Sequence, residues 1–137
     1  MKKILFTIMM LIGISSMAQE GTYCIISNYD LSNGDSLVYY EQTLNRDYTW
    51  HISVKWENLT GTTDGDFIVK HCALPDSLAV AGAYTAYSNL SAIDLDSASG
   101  YEDAHDDFLS ARKIGGLIDV NSITGGTISV YITFKYK

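Results

Sequence analysis

The stretch YTWHISVKWE, residues 48–57, decides the fold class. Tyr48, Trp50, Ile52, Val54 and Trp56 fall on one side of an extended chain, and Thr49, His51, Ser53, Lys55 and Glu57 on the other. Strict period-two alternation of this kind marks a half-buried antiparallel strand. Residues 128–136 repeat it, with Ile128, Val130, Ile132, Phe134 and Tyr136 opposite Ser129, Tyr131, Thr133 and Lys135. Two long strands with wide apolar faces need a second layer to cover them.

Residues 23–29 (YCIISNY) and 36–42 (SLVYYEQ) read as strands, separated by a turn containing Asn33-Gly34. Asn45-Arg46-Asp47 is the next turn. Residues 58–66 (NLTGTTDGD) read as a connection, and 67–72 (FIVKHC) as a strand forming a long-looped hairpin with 48–57. Pro75 ends that strand. Short strands are expected at 83–87 and 90–95. Residues 96–107 read as a polar, acidic segment with at most one helical turn over 102–107. A strand within 108–120 is expected to break at Gly115-Gly116, and Thr124-Gly125-Gly126 to turn into the final strand. The whole predicts an all-β, antiparallel β-sandwich, jelly-roll or Ig-like, of about seven or eight strands.

The first residues carry a different signal. Lys2 and Lys3 precede an apolar run over 4–14, and Ser16-Met17-Ala18 supplies small residues at the positions a signal peptidase reads. The run is shorter than the about 20 residues that span a bilayer. Residues 1–18 are therefore expected to be a cleaved signal peptide, leaving 19–137 as a single exported domain with no membrane insertion. Loss of the two lysines lowers the formal net charge from -7 to -9. So acidic a chain argues against nucleic acid or anionic membrane as partner. Export places Cys24 and Cys72, the chain's 2 cysteines, in an oxidising compartment. A bridge between them, worth about 4 kcal/mol in the chain-entropy model, is the expectation; two buried thiols are the alternative.

Chemistry is harder to find. His51, His71 and His105 show no HExxH spacing, and no CxxC accompanies them. His51 and His71 would share a face if their strands paired, yet solvent-facing histidines are the simpler reading. Asp94, Asp96, Glu102, Asp103, Asp106 and Asp107 form an acidic stretch, but Ala98 and Ser99 stand where a calcium loop needs an acid and a glycine. No GxSxG elbow or phosphate-cradling glycine loop is present. Gly61, Gly65, Gly115, Gly116, Gly125 and Gly126 read as turn residues needing positive φ. No enzyme activity, metal or cofactor is expected. The chain holds 10 tyrosines and 2 tryptophans. Trp50 and Trp56 share their face with Ile52 and Val54 and are expected in the core. Tyr39 and Tyr40 point to opposite faces, and Tyr39 and Tyr131 are the candidates for stacking a ligand.

Two segments carry a resemblance. VKWENLTGTTDGDFIVKH (54–71) and ITGGTISVYITFK (123–135) resemble small β-sandwich virion proteins, decoration- or fibre-like, of tailed phages. In those a Trp-bearing strand passes through a Leu-Thr-Gly-Thr-x-Asp-Gly turn to a second strand, and the last strand reads Gly-Thr-(Ile/Val)-x-(Val/Ala)-Tyr. The match spans residues 48–137. Where that family often has Ser-Asn-Asp-Gly and a Trp, Cys72-Ala73-Leu74-Pro75-Asp76-Ser77 stands here. The leader, with Met-Ala-Gln at the cut, is similar to those of Bacteroidota, in which Asp-Ser-apolar tripeptides resemble O-glycosylation sites. Asp35-Ser36-Leu37, Asp76-Ser77-Leu78 and Asp96-Ser97-Ala98 fit that pattern.

These readings lead to a non-enzymatic exported structural or attachment protein, working through protein partners or self-association. It would reside in the periplasm, at the cell surface or outside the cell, or on the virion surface if phage-encoded. The alternative is an extracellular carbohydrate- or ligand-binding module whose partner is a surface glycan.

Overall fold

The computed structural model describes residues 21–41, 48–72, 85–86, 90–106 and 113–136. They form β1 (Gly21–Asp30), a 3-10 turn (Leu31–Asn33), β2 (Ser36–Glu41), β3 (Tyr48–Gly61), β4 (Gly65–Cys72), β5 (Thr85–Ala86), β6 (Ile93–Leu95), β7 (Gly100–Asp106), β8 (Lys113–Asp119) and β9 (Ile123–Tyr136). One sheet has the order β1-β9-β3-β7; the other runs β2-β8-β4-β5, with β6 also on β4. Every pairing is antiparallel. The all-β sandwich read from the sequence is the architecture found, with nine described strands.

The two long alternating segments are neighbours, β3 against β9, aligned from Tyr48↔Tyr136 to Trp56↔Ile128 without a shift. Trp50, Ile52, Val54 and Trp56 therefore share an inner face with Ile128, Val130, Ile132 and Phe134, all buried. Phe67 and Val69 of β4, Ile114 and Ile118 of β8, and Ile93 and Leu95 of β6 complete the same buried cluster. Each such side chain contributes roughly 1.5–3 kcal/mol by leaving water. Both tryptophans lie in the core as expected.

Residues 58–66 are mostly strand rather than connection. At Asn58 (φ 56) β3 takes in an extra residue: Glu57 faces Thr127, but Thr60 faces Gly125. This β-bulge moves the inward position from Trp56 to Leu59 and lets the strand continue to Gly61. Gly126 (φ 108) sits opposite, where a Cβ would meet Asn58 O at 2.8 Å.

The expected hairpin between β3 and β4 is absent, because the chain changes sheet at residues 62–64. It changes sheet again at residues 120–122, between β8 and β9, where Ile123 N donates to Val120 O at 2.8 Å. Asn121 (φ 42) makes that turn, so the turn expected at Thr124-Gly125-Gly126 instead lies inside β9.

Further corrections concern β7, β8 and the cysteines. Within the acidic segment expected to hold at most one helical turn, Gly100–Asp106 form the edge strand β7, whose inward Ala104 is buried beside Ile52. Gly115 and Gly116 do not break β8 and lack positive φ. A Cβ on Gly115 would run into Tyr39 Cα at 2.5 Å, and one on Gly116 into Phe67 Cε1 at 2.7 Å, so these glycines admit close neighbours. Gly65 and Gly125 also lack positive φ, which Gly61 and Gly126 do adopt. Cys24 and Cys72 are not bridged: Cys24 is exposed on β1 of one sheet and Cys72 buried on β4 of the other.

Candidate binding surface

Positions that alternate with the core project from the outer face of the first sheet. β3 contributes His51, Ser53, Lys55 and Glu57, β9 contributes Ser129, Tyr131, Thr133 and Lys135, and β7 contributes Tyr101, Asp103 and His105. Their polar groups bond across the strands. Tyr101 Oη donates to Ser53 Oγ at 3.1 Å, and the Thr22 and Thr133 hydroxyls meet at 2.8 Å. Lys55 Nζ lies 2.9 Å from Glu57 Oε1. His51 Nε2 stands 3.3 Å from Asp103 Oδ1, and the His51 and His105 ring centres are 5.9 Å apart. Burial alone would raise the Asp103 pKa, but the polar groups of Tyr101, Ser53 and His51 beside it hold it below the usual carboxylate value.

The pairing considered for His51 and His71 does not occur, because β3 and β4 belong to different sheets. His71 is half-buried, and desolvation lowers its pKa. His51 instead faces His105, both exposed as expected. The polar, acidic character of β7 conceals that partner in the sequence.

Beside this face, where the edges of β6 and β7 approach, lies a cleft of about 270 Å³. Trp56 and Tyr101 line it, with Asp94, Asp96 and Glu102. Gly100 matters here, since a Cβ would strike the Trp56 ring at 2.6 Å. The wall at residues 96–99 is tied to β3: Trp56 Nε1 donates to Ser97 O at 3.0 Å, Leu59 N to Ala98 O at 2.8 Å and Asn58 N to Ser99 Oγ at 3.0 Å. Acidic charge continues onto the second sheet, where Asp66 faces Asp94 on one side and Asp119 on the other. Burial raises the Asp66 pKa first, and Asp94, Asp119 and Asp64 raise it further. Among the described residues no three His, Cys, Asp or Glu side chains converge as a metal-holding group.

Of the two candidate stacking residues, Tyr39 is 43% exposed, with the Lys113 ammonium 4.5 Å from its ring centre, and Tyr131 is half-buried among its strand neighbours. Tyr101, not singled out from the sequence, is at 60% the most exposed of the large apolar side chains among the described residues. Ser36 and Ser97 of the Asp-Ser-apolar tripeptides are half-buried and exposed respectively, while Asp76-Ser77-Leu78 lies outside the described residues. Compared with known families and with curated proteins, the chain matches no family model and no curated sequence.

Proposed function

We propose that this chain is a non-enzymatic, exported structural or attachment protein, a surface- or virion-type β-sandwich that works through assembly or adhesion. One observation carries the reading. The polar side chains that leave the core spread over a broad sheet face, bonded to one another between β7 and β3 and between β1 and β9. The exposed Tyr101 within this polar face suits a protein contact, since interfaces are enriched in aromatic side chains and rimmed by polar ones. The apolar leader at 4–14 and the acidic net charge of -7 support export in soluble form. Mass spectrometry of gradient-purified particles, envelope and medium from the source culture tests the reading. Recovery in particles or envelope at fixed copy number, beginning at Gln19, is expected. Recovery only as a free monomer contradicts it.

A second reading, an extracellular ligand-binding module, is favoured by the exposed Tyr101 beside an open cleft. Binding on a glycan array that Tyr101→Ala abolishes would support it, and absence of binding to any glycan would count against it.

A further inference from the structure

Two imidazoles stand side by side on the outer face of the first sheet. His51 of β3 and His105 of β7 are directly opposed in the antiparallel register, and both are exposed. We propose that His51 and His105 chelate a divalent transition-metal ion of the zinc, nickel or copper class, with Asp103 orienting His51.

The spacing suits such a chelate. Two imidazole nitrogens about 2.0–2.1 Å from one ion, at a tetrahedral angle, set the ring centres about 5 Å apart. The observed 5.9 Å is close enough for small side-chain rotations to bring both nitrogens onto the ion. Antiparallel pairing fixes the two Cα positions, so most of the ordering a chelate requires is already present in the sheet.

Asp103 supplies the second observation. Its Oδ1 lies 3.3 Å from His51 Nε2, which leaves Nδ1 as the ligating nitrogen. A carboxylate on the far nitrogen holds the tautomer and raises the basicity of the ligating one, the arrangement typical of metal-bound histidine. Imidazole selects zinc, copper and nickel, whereas calcium and magnesium select oxygen donors. Water completes the coordination shell, since no third such side chain converges among the described residues. The site does not depend on the assembly reading and stands apart from the acidic cleft.

Calorimetric titration of the full, untagged chain with zinc chloride tests the proposal. Saturable binding is expected, weakened at least about tenfold by His51→Asn or His105→Asn and about tenfold by Asp103→Asn. Asp94→Asn, which removes a charge from the acidic cleft, should change it less than about twofold. Proton NMR of the wild-type chain, free of any concern about variant folding, should show two histidine ring signals moving on zinc addition. Undiminished affinity in His105→Asn, loss of binding in Asp94→Asn, or unmoved histidine signals would overturn the assignment.

Discussion

Asp64 Oδ1 accepts a hydrogen bond from the backbone N–H of Ser122 at 3.1 Å. Asn121 Nδ2 donates to Asp64 O at 2.7 Å from the same turn. Two of the points where the chain changes sheet, 62–64 and 120–122, are thereby fastened to each other.

Asp64→Ala should therefore destabilise the protein by about 1 kcal/mol, the net worth of a lost hydrogen bond. Part of that loss is offset, because Asp64 also repels Asp66. Urea unfolding at neutral pH measures the difference. An unchanged midpoint would show that the fastening adds nothing to stability.

Asp66 works against the fold when ionised. Burial and the carboxylates of Asp94, Asp119 and Asp64 raise its pKa above the ordinary 3.8. A group with a raised folded pKa binds its proton more tightly in the folded state. Its contribution to stability is full below the ordinary value and is lost as pH rises through the raised one. Asp66→Asn should raise the melting temperature at pH 7 and do so less at pH 3. Thermal melts at both pH values check the sign.

Gly116→Ala should cost about 1–3 kcal/mol, as overpacking of a filled core does. The new Cβ would lie 2.7 Å from Phe67 Cε1, and Phe67 is itself completely buried. Pairing the substitution with Phe67→Leu should recover part of the loss, which a double-mutant cycle in urea would read.

Trp56→Phe keeps a large apolar ring in the core but removes the bond from Nε1 to Ser97 O. The expected loss is about 1 kcal/mol. Faster hydrogen exchange is expected at Leu59 N–H, which donates to Ala98 O in the same wall. Exchange unchanged at Leu59 would mean the wall is held without the indole.

What could be read from the sequence was whatever shows as a local period. Ile52, Val54, Val130 and Phe134 announce their buried faces through simple alternation, and the structure buries all of them. The signal failed where structure departs from the period. The extra residue at Asn58 shifts the inward row to Leu59, so a continuing strand resembled a loop. Charged residues such as Glu102 and Asp103 hid β7, because an edge strand tolerates charges that a central strand does not. Gly115 and Gly116 looked like a break because nothing local reveals how closely Tyr39 and Phe67 approach. The candidate surface suffered most. Tyr101 and His105 come beside Ser53 and His51 only through a β3–β7 pairing that spans roughly fifty residues of chain, beyond any local pattern.

The position of β9 between β1 and β3 also governs when the fold can form. Among the described strands β1 has no sheet partner other than β9, and the contact between Thr22 and Thr133 spans 111 residues. Closing such long loops costs entropy before the buried faces can repay it. During synthesis, β1 and the central pair of the first sheet must wait for the final strand to emerge. Until then the apolar face of β3, with its two tryptophans, has no neighbour on the β9 side, so the first sheet cannot close before residues 123–136 have emerged.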